Sequence, residues 1–174
     1  MGISPIKLAH VVLRTVNYQS MVDWWCRLLG ASVRHGNDFL SFLSYDEEHH
    51  RLAIVKIPHL VPQTRTEVGV EHMAFTFATV GDLFDKYEEL RNAGVSPYWT
   101  INHGMTLSAY YKDPDGNQVE LQVDAMGNED ADRFMNSPTF AENPIGIDVN
   151  FEDLIVRHRA GEPTTTLLSY PLVP

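Results

Sequence analysis

The sequence is short of features that would each point to a class of protein. Its single cysteine, Cys26, cannot form a disulfide within the chain. This thiol lies in WWCRLLG, which is typical of a helix face, so we interpret it as a packed side chain rather than a nucleophile. No stretch approaches the roughly 18 apolar residues of a membrane span, and MGISPIKLAHVVL lacks the pattern of a signal peptide. We therefore expect a soluble, cytoplasmic protein.

Positive charge is also scarce. The chain has 13 Lys and Arg against 23 Asp and Glu, a formal net charge of −10. No cluster of basic residues is longer than a pair. Such a surface repels phosphate backbones and anionic headgroups, so nucleic acid and membranes are excluded as expected partners.

The chain does have enough apolar material to fold by itself. Its 174 residues are 44% hydrophobic, which suffices for one sizeable core or a pair of small similar ones. Nothing in the composition requires more than one domain.

The first half predicts a β-α-β-β-β unit. IKLAHVVLRT is a β-branched strand, and a helix follows with Asn17 as its cap and Gly30 as its end. The apolar stripe of this helix consists of Met21, Trp24, Trp25, Leu28 and Leu29. ASVRHG, DFLSFLSY and HHRLAIVKI then have the length and bounds of strands.

The second half predicts the same order of elements. After the strand VEHMAFTF, Thr79 and Asp82 resemble a capping box, and Gly94 ends the helix. Its stripe consists of Leu83, Tyr87 and Leu90. VSPYWTI, MTLSAYYK and NQVELQV are three more strands, and the DPDG turn Asp113–Gly116 joins the last two as a hairpin.

The two halves align as an internal duplication. LAHVVL and VEHMAF place His10 and His72 at the same point of their first strands, and DFLSF aligns with MTLSAY later on. We predict an α+β fold of two βαβββ modules, at about residues 6–58 and 68–124, whose sheets face a shared cleft. Residues 125–174 are acidic and rich in Asn and Pro. We expect a mostly turn-like extension with one short helix at FEDLIVRHRAG, either wrapping the core, covering a cleft or contacting a second copy.

Two of the eight histidines and one acid form a candidate metal site. Alone, His10 favours a core histidine and Glu120 a solvent-facing strand acid. If the modules pack as twofold relatives, however, His10, His72 and Glu120 converge. Burying the carboxylate without a cation costs several kcal/mol, by the usual order-of-magnitude estimate. Two imidazoles and one carboxylate leave half of an octahedron open, an arrangement suited to non-haem Fe(II).

YYKDPDGNQVE, together with LAHVVL and VEHMAF, resembles the vicinal oxygen chelate superfamily over about residues 6–124. That superfamily includes glyoxalase I, extradiol ring-cleaving dioxygenases, bleomycin resistance proteins and methylmalonyl-CoA epimerase. The resemblance implies that the paired modules form a half-open barrel. Glyoxalase I uses four protein ligands, but here the first-half counterpart of Glu120 falls within Leu52-Ala53-Ile54, none of which binds a metal. The chain therefore looks most similar to the type I extradiol dioxygenases.

That resemblance implies a set of functional residues. The metal, Fe(II) or alternatively Mn, Zn or Ni, would be held by His10, His72 and Glu120. The catalytic residues would be His50, as the acid/base of HHRLAI, Tyr110 beside the substrate, and His103 of INHGMT. His103 lies about two residues closer to the glutamate than the family pattern places it. The implied partners are a small aromatic diol and O₂, and a chain with one pair of modules is expected to form a homodimer.

Other interpretations remain open at this stage. The scaffold also fits another metal-dependent enzyme, such as an isomerase, a lyase or a glyoxalase-like protein. It fits a non-enzymatic binding protein of the bleomycin-resistance type as well, although such a protein has no reason to keep a His, His and Glu set. His49 and His50 could lie in a solvated loop, and Tyr110 could simply pack in the core.

Overall fold

The computed structural model describes residues 2–66 and 68–170, which form two compact units. One unit comprises the chain up to Gly69 together with Asp113–Asn117. The other comprises Val70–Lys112 and the chain from Gln118 onward. Within the described residues, no helix has the length and apolar character that crossing a bilayer requires.

The first unit is a four-stranded sheet with one helix. Its elements are β1 (Val11–Thr15), α1 (Tyr18–Leu29), β2 (Ser32–Gly36), β3 (Leu40–Ser44) and β4 (Leu52–Lys56), with the strand order β1-β4-β3-β2. Helix α1 begins after Asn17 and ends at Gly30, as predicted, because Gly30 adopts a left-handed conformation with φ 63°. Four side chains of α1 are buried, namely Met21, Val22, Trp25 and Leu28.

The second unit repeats this order. It contains β5 (His72–Phe77), α2 (Val80–Asn92), β6 (Trp99–Asn102), β7 (Thr106–Lys112) and β8 (Gln118–Asp124), ordered β5-β8-β7-β6. The capping box is present: the Asp82 amide donates to Thr79 Oγ1 at 3.1 Å, and the Thr79 amide donates to the Asp82 carboxylate at 3.1 Å. The predicted fold of two βαβββ modules is confirmed.

The DPDG turn is built around a buried acid. The amide of Gly116 donates to the Asp113 carbonyl at 2.9 Å, and Gly116 has φ 82°. The Asp113 carboxylate accepts hydrogen bonds from the Trp25 indole at 3.2 Å and from the amides of Asp115 and Asn117, both at 2.9 Å. Burial raises the pKa of Asp113, and these hydrogen bonds oppose that shift. The turn is therefore tied to helix α1 of the first unit.

Strand registers define which residues of the two sheets correspond. In the second sheet, Ala74 pairs with Glu120 and Glu120 pairs with Tyr110. When His10 is aligned with His72, Val12 of the first sheet corresponds to Ala74. Val12 pairs with Ala53 and Ala53 pairs with Phe42, so Ala53 corresponds to Glu120 and Phe42 to Tyr110. Ala53, the counterpart of Glu120, falls within the segment expected from the sequence.

This correspondence adjusts one alignment made from the sequence. Leu40 pairs with Val55, and Ser108 pairs with Gln122. Val55 lies two residues after Ala53 and Gln122 lies two residues after Glu120, so Leu40 corresponds to Ser108. An alignment that matches the Leu-Ser pairs of DFLSF and MTLSAY is therefore offset by one residue. A shift of one residue matters because it exchanges the two faces of a strand.

The extension after Asp124 is more regular than expected. It forms α3 (Asn128–Met135), α4 (Pro138–Glu142), β9 (Ile147–Asp148), α5 (Phe151–Arg159) and α6 (Thr164–Leu167). The prediction of a mostly turn-like segment was wrong, because α3 and α4 lie in it. The Ser137 side chain caps α4 and so allows a helix in a Pro- and Asn-rich sequence. The short helix predicted at residues 151–161 is present as α5.

Strand β9 attaches this extension to the second sheet. Ile147 pairs with Asn102 and Asp148 with Ile101, which makes β9 the fifth strand beside β6. Phe151 of α5 is buried and meets Phe84 of α2 edge to face, with ring centroids 5.5 Å apart. The extension is therefore part of the second unit.

Candidate functional site

A row of four residues crosses one face of the second sheet. Ala74, Glu120, Tyr110 and Trp99 are directly paired neighbours on β5, β8, β7 and β6. Side chains two residues apart on a strand share a face, so His72 joins the row from β5. The pleat of the sheet thus groups an imidazole, a carboxylate, a phenol and an indole.

The carboxylate of this row is buried against an imidazole. Glu120 is 4% exposed, and its Oε2 lies 3.0 Å from Nε2 of His72. A second imidazole, that of His103, places its Nε2 3.9 Å from Glu120 Oε1. A buried carboxylate facing imidazole nitrogens is a donor set that suits a divalent transition metal.

Tyr110 is held between aromatic neighbours. Its ring stacks on that of Trp99 at 4.9 Å and meets His72 edge to face at 5.3 Å. Its hydroxyl lies 3.0 Å from His103 Nε2. Burial, followed by the negative charge of Glu120, raises the pKa of Tyr110, so the phenol keeps its proton at neutral pH and can donate it in a hydrogen bond.

His103 belongs to this group despite its unexpected spacing in the sequence. It follows β6, and its amide closes the turn to β7 by donating to Thr106 O at 2.9 Å. Nδ1 of the ring contacts the carbonyl of Ile145, and Nε2 contacts Tyr110. The structure thus brings together four of the six residues singled out from the sequence, namely His72, His103, Tyr110 and Glu120.

The other two residues lie together in the first unit. His10 directly precedes β1, and its ring centroid lies 4.4 Å from that of His50, which precedes β4. His50 stacks on Phe42 at 4.5 Å, and its Nδ1 lies 2.6 Å from Nδ1 of His49. Partial burial, followed by the neighbouring His10 and His49, lowers the pKa of His50.

The first sheet carries the same row without the chemical groups. Ala53 stands where the second sheet has Glu120, and Phe42 stands where it has Tyr110. Neither an alanine methyl group nor a phenyl ring can bind a metal. The duplicated positions therefore supply one carboxylate and one phenol, both from the second unit.

No group of three or more His, Cys, Asp or Glu is arranged to hold a metal among residues 2–66 and 68–170. What the second unit contains is the pair of His72 and Glu120. The set of three ligands that includes His10 stays a prediction.

The strands of the site also carry aromatic side chains. Trp99 lies on β6, and Phe75 and Phe77 lie on β5. Only Trp99 stands in the row, because Phe75 and Phe77 alternate with His72 and Ala74 and face the other side of β5. The contact from Ile145 was not foreseen, and the only local signal for it is the Asn-Pro-Ile-Gly segment 143–146.

The sequence is similar to one known superfamily and, within it, to two dioxygenases. The family model described as Glyoxalase/Bleomycin resistance protein/Dioxygenase superfamily matches residues 7–121. The chain is 42% identical to biphenyl-2,3-diol 1,2-dioxygenase 2 of Rhodococcus globerulus, over 94% of this chain and 87% of that protein. It is also 42% identical to biphenyl-2,3-diol 1,2-dioxygenase 3 of the same organism, over 96% and 89%.

The two matches cover 94% and 96% of this chain, whereas the paired modules end at Asp124. The matched regions therefore include part of the extension that follows Asp124. Among solved structures, a glyoxalase/dioxygenase from Nostoc punctiforme has a TM-score of 0.57 at 17% identity. That likeness covers 71% of this chain and 97% of the Nostoc chain, and it concerns the fold alone.

Proposed function

This chain belongs to the glyoxalase/bleomycin resistance protein/dioxygenase superfamily, and we propose that it is an extradiol dioxygenase, an enzyme that opens the ring of a catechol-like aromatic diol with O₂. The observation that carries the proposal is the buried carboxylate of Glu120, 3.0 Å from His72 and paired across the sheet with Tyr110. The identity to two biphenyl-2,3-diol 1,2-dioxygenases over most of the chain supports the same reaction class.

The residues present suit a divalent metal, and we propose Fe(II). Glu120 and His72 would be two of its ligands. We propose His10 as the third ligand. Val12 and Ala74 are counterparts in the two sheets, and His10 lies two residues before Val12 just as His72 lies two residues before Ala74. When bound, the metal would make the diol more acidic and allow it to react with O₂.

The second unit supplies the groups that would bind and orient the diol. The Tyr110 phenol, protonated at neutral pH, would donate a hydrogen bond to a substrate oxygen. His103 Nε2, 3.0 Å from that phenol, would contact the same region of the substrate. The Trp99 ring, stacked on Tyr110, would form an apolar wall that excludes water from this side.

In the first unit, we propose that His50 accepts a proton from the diol and later returns it. It lies against His10, and imidazole is the side chain suited to proton transfer near neutral pH. Phe42, stacked on His50, would hold the ring in place.

Ala53 argues against a glyoxalase-like function on the same scaffold. A site with four protein ligands would need a ligand at this position, and an alanine supplies none. The pairing of Glu120 with His72 likewise argues against a protein that only sequesters an apolar ligand, because a buried carboxylate without a cation is costly.

The test is oxygen consumption by anaerobically purified protein loaded with Fe(II). We expect uptake with at least one member of a panel of catechols and 2,3-dihydroxybiphenyl, together with a yellow ring-opened product. Matched samples loaded with Zn²⁺, Mn²⁺ or Ni²⁺ serve as controls. Absence of uptake from every diol, with turnover of another substrate under Zn²⁺ or Ni²⁺, would refute the proposal.

We also propose a homodimer, because the chain has a single pair of modules. Light scattering of the purified protein measures this directly, and a monomer at micromolar concentration would refute it.

A further inference from the structure

The turn that carries His103 is enclosed by the C-terminal extension. Asn102, which is 2% exposed, donates through its side-chain amide to the carbonyls of Leu168 and Ser169, both at 3.2 Å. Its side-chain oxygen accepts from the amide of Gly104 at 2.7 Å. At Gly104, a Cβ atom would stand 2.4 Å from the ring of Phe134, so α3 packs directly on the turn.

A second part of the extension reaches the imidazole itself. Gly146 has φ 119°, and a Cβ atom there would lie 2.4 Å from the Asn102 carbonyl oxygen and 2.9 Å from the Cα of His103. Only glycine allows this approach. It brings the backbone carbonyl of Ile145 into contact with His103 Nδ1.

The backbone on both sides of the Ile145 carbonyl is held by the side chain of Asn143. Asn143 Oδ1 accepts from the amides of Ile145 at 3.2 Å and Gly146 at 3.1 Å. Asn143 Nδ2 donates to the Gly146 carbonyl at 2.7 Å. These bonds form an Asx-type turn that fixes the backbone between α4 and β9.

A carbonyl oxygen can only accept a hydrogen bond, so the nitrogen that contacts it must carry the proton. In a neutral imidazole, the other nitrogen is then an acceptor. We propose that the extension is a working part of the site: the Asn143 turn uses the Ile145 carbonyl to hold His103 as the Nδ1-protonated tautomer, and so leaves Nε2 as an acceptor beside Tyr110. Asn143 is thus a positioning residue that acts through His103.

The consequence for the substrate rests on the proposed function. An acceptor at His103 Nε2 recognises a hydroxyl of an aromatic diol that donates a hydrogen bond. With Nε2 as acceptor, His103 can take a hydrogen bond from a substrate hydroxyl when the diol is bound. In the free protein, the Tyr110 hydroxyl has two acceptors beside it, His103 Nε2 at 3.0 Å and the Glu120 carboxylate. The opposite tautomer would present an N–H to both hydroxyls. The hydrogen-bond chemistry of the site is therefore set by a loop outside the two modules.

The tautomer can be measured without metal or activity. Long-range ¹H–¹⁵N spectra of metal-free protein distinguish the two ring nitrogens of a neutral histidine, and the His103→Gln spectrum identifies the signals of His103. A pH of about 8.5 lies two units above the ordinary imidazole pKa and keeps free imidazoles neutral. We expect His103 to be protonated on Nδ1, and protonation on Nε2 would overturn the proposal.

Three variants test the assigned cause. Asn143→Ala removes the turn, and we expect its His103 signals to shift towards a mixture of tautomers. Asn143→Asp keeps the acceptor for both amides and should restore the wild-type spectrum. Ile145→Ala changes only an exposed side chain in the same loop and should leave the spectrum unchanged. A pure Nδ1 tautomer in a folded Asn143→Ala variant, checked by circular dichroism, would refute the role of the turn.

Activity provides an independent readout. With a diol identified by oxygen uptake, we expect Asn143→Ala to lower kcat/KM about tenfold, the effect of one neutral hydrogen bond, while metal content stays at the wild-type level. If no diol supports oxygen uptake but the tautomer responds as expected, the proposed function fails and the positioning by the extension stands. If uptake occurs and the tautomer is wrong, the positioning alone fails.

Discussion

Replacing Glu120 with glutamine is the sharpest test of the metal site. The substitution removes a carboxylate that is 4% exposed and 3.0 Å from His72, yet it keeps the shape of the side chain and an amide oxygen. In metal-free protein, the loss of a buried charge and of a hydrogen-bond acceptor oppose each other, so we expect the free energy of unfolding to change by less than about 1 kcal/mol. A large effect should appear only with metal.

The size of that effect follows from linkage. A ligand at 100 times its Kd stabilises the protein that binds it by about 2.7 kcal/mol. Loss of groups that merely orient a ligand lowers metal affinity about 10- to 100-fold, so loss of a direct ligand should lower it by at least about a hundredfold. At the same metal concentration, the stabilisation then falls to about 0.4 kcal/mol or less.

The assay is anaerobic urea unfolding of both proteins with and without Fe(II). Glu47→Gln is the matched control, since it removes an equal charge from an exposed position of the first unit. It should keep the full metal-dependent stabilisation. If Glu120→Gln also keeps about 2.7 kcal/mol, Glu120 is not a metal ligand, and the main support for the proposed function is lost.

Two further predictions concern Tyr110 and the DPDG turn. Tyr110→Phe removes the hydroxyl beside His103 and should lower kcat/KM with the diol about 10- to 100-fold, as expected for a hydrogen bond to a charged oxygen, with metal content unchanged. Equal rates would show that the phenol does not contact the substrate. Asp113→Ala removes the buried carboxylate that accepts from the Trp25 indole and from two backbone amides, so the free energy of unfolding in urea should fall by about 2–4 kcal/mol. Asp115→Ala, which loses a surface contact, should cost less than about 1 kcal/mol.

The elements that could be predicted are those with local signals. The capping box of Thr79 and Asp82 and the turn at Asp113–Gly116 are each specified by residues a few positions apart. Gly30 ends α1 for a similar reason, since its backbone adopts a conformation that other residues rarely take. Apolar periodicity and the repeated histidine strands were therefore enough to predict the two βαβββ modules.

The helices of the extension had weaker signals. The composition around α3 and α4, which were not predicted, is typical of turns. The Ser137 side chain caps α4, and Phe134 of α3 meets Phe140 of α4 edge to face, with ring centroids 5.7 Å apart. Tertiary contacts overrode the composition, which is the commonest reason for such an error.

The position of His103 could not be predicted from spacing. In the chain, His103 lies about two residues closer to Glu120 than the family pattern places it, and this put its role in doubt. In the structure, the turn from β6 to β7 folds back, so that the imidazole meets the phenol at 3.0 Å. Sequence distance does not measure spatial distance across a turn.

The sequence by itself determined the duplicated modules and the candidate set of histidines, carboxylate and phenol. It also showed that the first-half counterpart of Glu120 cannot bind a metal. The modules and the set of His10, His72 and Glu120 follow from residue type and from the period of a strand, which are local properties. The roles of His50, Tyr110 and His103 were implied by the resemblance to the superfamily. Only the tertiary structure decided that Glu120, Tyr110 and Trp99 form one row, and that Ile145 reaches His103 from the extension. Strand register and the docking of a distant segment arise from contacts between residues far apart in the chain, and no local pattern encodes them.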